Sequence, residues 1–207
     1  MEDSERAARI AQEMKIDAGL HLNLTTALSR PKDARLAEYQ QRLARYLRGH
    51  RLAPIFFHPG LARCFDYVVS AQLDEFRRLY DNEPLRIDGH HHMHLCANVL
   101  MGRLLPKGTI VRRNFSFGPG EKSLANRSWR KIVDSMLARR HRLTDFFFSL
   151  PPLRPSRLQE ILLLASKSIV EVETHPVNSE EHAFLTSGGI TQWGSTVEFS
   201  SFSCYFH

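Results

Sequence analysis

Two hydrophobic periods alternate along most of the chain. Apolar residues recur every three to four positions in some stretches, which predicts amphipathic helices, and every second position in others, which predicts strands with one buried face. The helical pattern covers residues 4–15, 34–49, 58–80, 97–105, 123–140, 156–167 and 180–187. The strand pattern covers residues 16–24, 85–89, 109–113, 145–150, 169–173 and 196–202.

Strands that alternate with helices indicate an α/β domain with a largely parallel sheet. The chain has 207 residues and shows no internal repeat or interdomain linker, so we expect a single domain over residues 1–207. In folds of this class the scaffold gathers the carboxyl ends of the strands on one face, and the loops on that face carry the chemistry.

A histidine cluster follows the strand predicted at residues 85–89. Residues 87–94 read I-D-G-H-H-H-M-H and hold four of the eleven histidines of the chain. Side chains of an extended chain alternate, so Asp88, His90, His92 and His94 would point to one side and His91 to the other. Imidazoles at a strand end, with a carboxylate that fixes a ring's tautomer, can present nitrogen ligands to a metal. A solvent-exposed cluster without a ligand is the alternative interpretation.

Two further histidines lie at predicted strand ends. His21 lies near the end of the first predicted strand, on the face opposite its leucines, and His175 directly follows the fifth strand. A single histidine in such a place is more often a hydrogen-bonded structural residue than a ligand. Because three histidine-bearing strand ends would meet on one face, we expect His21, the cluster and His175 to form one site.

Composition limits the class of protein. Hydrophobic residues make up 43% and charged residues 24%, as in globular domains, and no apolar run reaches the length of a membrane span. The acidic N-terminus lacks the regions of a signal peptide, and three widely spaced cysteines form no disulfide or zinc pattern, so we expect a cytoplasmic protein. The net charge is +6, but aromatic residues are not interleaved with the arginine runs, so nucleic-acid binding is not expected.

Three segments, in this order, resemble motifs of the YdjC-like carbohydrate deacetylases (the ChbG-HpnK family). Residues 19–25 read G-L-H-L-N-L-T, like a strand of the family. Residues 88–94 are similar to the family's D-S-H-x-H-x-H, with Gly89 in place of the usual serine, and residues 170–176 are similar to its late E-x-x-x-H-P strand. The similarity runs over most of the chain, and the three motifs in order are far more specific than any one of them.

The resemblance implies a fold, an activity and a set of site residues. The fold would be a (β/α) barrel-like domain with mostly parallel strands, and the activity would be metal-dependent removal of N-acetyl groups from amino sugars or oligosaccharides. His21 and His90 would bind a divalent cation, with Mg²⁺ expected and Zn²⁺ as the alternative. Asp88 would support the histidines, and His175 would act as a catalytic acid or polarise the scissile amide. A carboxylate would serve as third ligand and general base.

One family motif has no counterpart in the chain. The family opens with a strand that ends in A-D-D-F-G and supplies a carboxylate ligand, and no such segment is present. We therefore expect an N-terminally incomplete fold that lacks the first strand–helix units, and the alternative function is a non-catalytic remnant that binds carbohydrate. A sheet edge left open by a missing strand would favour a homodimer.

Three more side chains are candidates for substrate contacts. Arg112 or Arg113 could contact the substrate, although a salt-bridged arginine is the more frequent role. Trp193 could stack on a sugar ring or pack in the core.

Overall fold

The computed structural model describes residues 3–118, 120–188 and 197–202. Helices and strands alternate through these ranges except between the first two strands, where two helices follow each other, and two short 3-10 turns, Pro59–Leu61 and His90–Leu95, precede the third and fourth helices. The elements are α1 (Ser4–Glu13), β1 (Leu20–Leu22), α2 (Ala34–Gly49), α3 (Ala62–Tyr80), β2 (Arg86–Gly89), α4 (Ala97–Gly102), β3 (Ile110–Val111), α5 (Leu124–Ala138), β4 (Phe146–Ser149), α6 (Pro155–Ala165), β5 (Val170–Glu173) and α7 (Ser179–Thr186).

The strands pair in parallel in two small sheets. β1, β2 and β3 form the first sheet in that order, and β4 and β5 form the second. An isolated parallel bridge joins Ile110 of β3 to Arg142, in the segment before β4. The predicted α/β class with parallel strands is confirmed. Within the described ranges both sheets are open, and a closed barrel is not seen.

The core lies around α3, which packs against α1, α2, α4 and β1. Its buried side chains from Cys64 to Leu73 belong to the same apolar cluster as Leu22 of β1 and Ile87 of β2, both fully buried. Burial of one side chain of this size stabilises the fold by about 1.5–3 kcal/mol. The apolar stripe predicted for this helix is therefore core, and it holds the strands that carry the histidines.

The start of α2 is fixed by Asp33. Its carboxylate accepts a hydrogen bond from the backbone N–H of Leu36 at 2.7 Å, which caps the helix, and another from the hydroxyl of Tyr67 at 2.7 Å. Since Tyr67 lies on α3, the same side chain ties α2 to α3.

Three predicted strands differ clearly from the structure, and one of them is β3, which covers Ile110–Val111 where residues 109–113 were predicted. β1 covers only Leu20–Leu22 of the predicted residues 16–24. It ends before Asn23, because the backbone N–H of Asn23 donates to Oε1 of Gln72 at 2.8 Å and its carbonyl accepts from Gln40 at 3.0 Å, which takes Asn23 out of the ladder. Of the strand predicted at residues 196–202, residue 196 lies outside the described ranges and residues 197–202 are not in a strand. No helix in the described ranges is long and apolar enough to cross a membrane.

Candidate functional site

β1 and β2 bring His21 and Asp88 together. The two residues lie opposite each other in the ladder, and Nδ1 of His21 is 2.9 Å from Oδ1 of Asp88. Because an ionised carboxylate only accepts hydrogen bonds, Nδ1 carries a proton, and in the neutral form of the ring Nε2 then keeps its lone pair. The His21 side chain is half exposed, whereas Asp88 is buried. Such a carboxylate–histidine pair is the arrangement that orients imidazole ligands of metal ions.

Two arginines hold Asp88 in the ionised form. Nη1 of Arg112 lies 2.7 Å from Oδ2 of Asp88, and Nη2 of Arg86 lies 3.6 Å from the same oxygen. Burial by itself raises the pKa of this carboxyl, but the hydrogen bond with His21 and the charges of Arg112 and Arg86 outweigh it and lower the pKa of Asp88 to about 2. At neutral pH Asp88 is therefore a carboxylate that positions His21, and it holds no proton to donate.

The same two arginines connect β2 and β3 to β5. Nε of Arg112 lies 2.6 Å from Oε1 of Glu171, and Nη1 of Arg112 lies 2.7 Å from Oε1 of Glu173. Arg86 also pairs with Glu171. We call Arg86, Asp88, Arg112, Glu171 and Glu173 the buried charge cluster. Its three carboxylates and two guanidiniums are mutually paired, as buried charges must be.

Sequence reasoning gave Glu171 and Glu173 no role. The sequence did contain a signal for this role. Arg86 and Asp88 lie two positions apart on β2, and Glu171 and Glu173 lie two positions apart on β5, so each pair shares one face of its strand. The salt-bridged role holds for both candidate arginines. Arg112 is buried in the cluster, and Nη2 of Arg113 lies 2.9 Å from Oδ2 of Asp134. Trp193 lies outside the described residues.

β2 ends at Gly89, where the chain turns back on itself. A Cβ atom at Gly89 would lie 2.9 Å from Nδ1 of His94, so a side chain there would collide with the turn. His91 and His92 then adopt left-handed conformations, with φ of 53° and 57°. This region is unfavourable for residues other than glycine, and such strain persists only where surrounding contacts hold it.

The turn brings His90 to His21. Their ring centroids lie 5.7 Å apart with an interplanar angle of 81°. The ring of His91 lies 4.0 Å from that of His90, and Nδ1 of His91 is 3.0 Å from the hydroxyl of Thr25. Burial, together with the neighbouring His91 and His21, lowers the pKa of His90. His90 is therefore neutral at neutral pH, with a ring nitrogen able to bind a ligand.

The predicted alternation of side chains from Asp88 to His94 is wrong beyond Gly89, because the chain leaves the extended conformation there. His92 packs edge-on against Phe115, with ring centroids 4.7 Å apart. His94 is fully buried, and its Nε2 lies 2.9 Å from the backbone carbonyl oxygen of Arg112. Burial lowers the pKa of His92 to about 4 and that of His94 to about 3. Both rings are neutral packing groups, and they do not line up with His90.

His175 lies two residues after the last residue of β5, at the strand end as predicted, and its side chain is exposed. Its backbone N–H donates to Oε2 of Glu181 at 2.7 Å, and its Nδ1 lies 4.0 Å from Oε1 of the same residue. Two residues earlier, Glu173 belongs to the buried charge cluster. The structure thus joins His21, Asp88 and His90 directly and connects the His175 strand to them through Arg112.

A cavity of about 440 Å³ opens beside His21 and His90. Residues of α1, β1 and α3 line it, with the apolar side chains of Leu20 and Phe76 and the polar side chain of Gln72 among them. Small-molecule sites have this size and mixture of side chains.

Comparison with known proteins gives the family. The family model described as YdjC-like protein matches residues 1–195. The chain belongs to the YdjC-like family. No curated protein and no solved structure matches it. The resemblance carried by the three histidine motifs is confirmed, and membership points to a function of the carbohydrate deacetylase type.

The donor set of this YdjC-like protein fits a divalent cation only in part. His21 and His90 offer imidazole nitrogens at the edge of one cavity, but the carboxylate of Asp88 is already bound by Arg112 and His21. In the part of the chain that the structure describes, no group of three or more His, Cys, Asp or Glu side chains could hold a metal. Two imidazoles suit Zn²⁺, whereas Mg²⁺ prefers oxygen ligands.

Proposed function

We propose that this YdjC-like protein is a metal-dependent hydrolase that removes N-acetyl groups from amino sugars or oligosaccharides. The observation that supports the proposal most is the His21–Asp88 hydrogen bond of 2.9 Å beside the ring of His90. His21 and His90 would hold the divalent cation. When bound, that cation supplies a Lewis acid for the amide carbonyl and lowers the pKa of a water molecule that attacks the acetyl carbon.

The other site residues have distinct roles in this proposal. Asp88 accepts a hydrogen bond from the Nδ1–H of His21 and so leaves Nε2 available, while Arg112 and Arg86 keep Asp88 ionised. The lowered pKa of His90 keeps its ring neutral. His175 would donate a proton to the leaving amine or polarise the scissile amide. The cavity beside His21 and His90 would receive the acetamido group.

We further propose that the two sheets belong to one (β/α) barrel-like layer. The ion pairs of Arg86 and Arg112 with Glu171 cross from the first sheet to the second, and the bridge between Ile110 and Arg142 lies between them. Both contacts support a continuous layer of strands with a charged interior.

The test is release of acetate from N-acetylglucosamine and its β-1,4-linked dimer and trimer. The assay is run with Mg²⁺, Mn²⁺ or Zn²⁺ and with EDTA. We expect release that requires a cation and falls at least 100-fold in His21→Ala and in His90→Ala. His182→Ala is the matched control, since His182 is an exposed histidine on α7. Equal release in EDTA, or from His90→Ala, would contradict the proposal.

A second candidate function is carbohydrate binding without catalysis. It is favoured by the lack of a three-ligand metal group among the residues that the structure describes. This alternative predicts that the same sugars bind in EDTA and that no cation produces acetate.

A further inference from the structure

A second cleft, of about 360 Å³, opens beside His91 and His92. The turn of residues 90–95 forms one wall and α5 forms another, and Ile55 contributes from the segment before α3. The volume is within the range of small-molecule sites. No role in the proposed chemistry falls to this cleft.

Aromatic side chains line two sides of this cleft. Trp129 of α5 is 42% exposed, although the same helix buries Val133 and Leu137 one and two turns further on. Phe115 is held in place by a parallel stack on Phe147, with ring centroids 4.4 Å apart. An indole at the wall of a cleft offers a flat apolar surface to the C–H face of a ring, whose burial is favourable.

Polar groups of the cleft are positioned in advance. Nε of Arg130 donates to Oδ1 of Asn126 at 2.8 Å, and Nη1 of Arg130 lies 3.4 Å from Oδ1 of Asn114. Asn114 is itself held by Asp134, whose Oδ1 accepts from its side-chain nitrogen at 2.9 Å. Within the described ranges, Nδ2 of Asn126 and Nη2 of Arg130 have no hydrogen-bond acceptor. Two donors therefore stand beside the exposed indole.

We infer that this cleft binds a pyranose ring of an amino-sugar oligosaccharide. Trp129 stacks on the apolar face of the ring, while Asn126 and Arg130 donate hydrogen bonds to its hydroxyl or acetamido oxygens. The inference rests on the proposed function, in which His90 holds the cation. The ring of His91 in this cleft and the ring of His90 in the first cavity have centroids 4.0 Å apart. In this inference a sugar chain occupies the cleft with one ring and places the next ring beside His90.

The test is calorimetric binding of N-acetylglucosamine, its β-1,4-linked dimer and its trimer, all in EDTA so that no metal contributes. For the wild-type chain we expect at least fivefold tighter binding of the dimer than of the monomer. Trp129→Ala removes this gain and weakens trimer binding at least tenfold. Ile132→Ala is the matched control, since Ile132 is an exposed apolar residue of the same helix that does not line the cleft, and it keeps wild-type affinity.

A second measurement tests the inference even if Trp129→Ala does not fold. In a Trp193→Phe background, Trp129 is the only tryptophan of the chain, so its emission reports the cleft directly. Titration with the trimer should shift that emission with the affinity found by calorimetry. Unchanged emission, no binding of any sugar by the wild-type chain, or trimer binding by a folded Trp129→Ala within twofold of wild type would each overturn the inference.

The inference and the proposed function fail separately. Cation-dependent acetate release together with Trp129-independent binding would contradict sugar binding in the cleft and support the proposed hydrolase function. Trp129-dependent binding without acetate release under any cation would support sugar binding in the cleft and contradict the proposed hydrolase function.

Discussion

Arg112 is the residue that connects the site most closely to the fold. Its guanidinium contacts Asp88, Glu171 and Glu173, at 2.6–2.7 Å in each case. Without it, the carboxylates of Asp88, Glu171 and Glu173 would retain, among the described residues, Arg86 and His21 as charged partners. The orientation of His21 therefore depends on a residue that does not touch it.

Replacement of Arg112 by Met should destabilise the protein strongly. Removing one partner from a buried charge cluster costs about 3–5 kcal/mol of unfolding free energy, because the remaining charges lose their compensation. Urea denaturation measures this loss. Arg78→Met is the control, since Arg78 is an exposed arginine paired with Glu75 and Glu5 at 2.8 and 2.9 Å. Its loss should change the unfolding free energy far less, because ion pairs in water contribute little to stability. Equal losses in the two variants would contradict a central role for Arg112.

His94 should make the protein less stable in acid. Burial lowers its pKa from 6.5 to about 3. Between these values the unfolded chain binds a proton that the folded chain does not, so the unfolding free energy falls as pH decreases, by up to about 1.4 kcal/mol per pH unit. Above about pH 7 the effect vanishes, since both states are neutral.

His94→Gln keeps a donor for the carbonyl of Arg112 but does not titrate. We expect a smaller loss of stability between pH 6.5 and about 4 in this variant than in the wild type, because the buried imidazole is gone while His92 still contributes. Urea denaturation at several pH values measures the slope, with exposed His182→Gln as the control. If the unfolding free energy of His94→Gln depended on pH as steeply as that of the wild type, His94 would not be the source of the acid sensitivity.

At the scale of elements, local patterns were sufficient for the long helices. α2 was predicted with its observed bounds, because its apolar stripe and the Asp33 cap are encoded within the helix and the residue before it. The C-terminal end of β1 was predicted too late, since that end is set by Gln40 and Gln72, which belong to α2 and α3. Periodicity does not contain such long-range contacts.

In the site, too, the sequence pattern predicted some features, whereas others depend on long-range contacts. The pairing of His21 with Asp88 and the approach of His90 follow from parallel strands whose ends meet, and the sequence pattern indicated this meeting. The directions of His92 and His94 depend on the close contact between Gly89 and His94 and on two left-handed residues, which a strand pattern does not encode. Glu171 and Glu173 acquire their role only through their ion pairs with Arg86 and Arg112, which the folded chain brings to them.

Gly89→Ala tests the turn as an element. The new Cβ would lie 2.9 Å from Nδ1 and 3.0 Å from the backbone nitrogen of His94, so the turn must shift, at a cost of about 1–3 kcal/mol. His90 should move away from His21 as a result. Gly49→Ala is the matched control, because Gly49 ends α2 with no atom within 4 Å of the added Cβ, and it should be neutral or stabilising. Thermal unfolding compares the two, and equal midpoints would contradict the account.

At the scale of the whole molecule, β1 is the outer strand of its sheet in the part that the structure describes. The homodimer expected from an open sheet edge stays a prediction. Size-exclusion chromatography with light scattering should give twice the chain mass of 23.8 kDa. A monomer that persists with increasing concentration would contradict it.

We propose above all that His21 and His90 together bind one divalent cation. Calorimetric titration of the wild-type chain with Zn²⁺, and separately with Mg²⁺, measures this without any assumption about substrate. We predict about one ion per chain, at least tenfold weaker binding in His21→Ala and in His90→Ala, and unchanged binding in His182→Ala. Wild-type stoichiometry and affinity in His90→Ala would contradict the account at its centre.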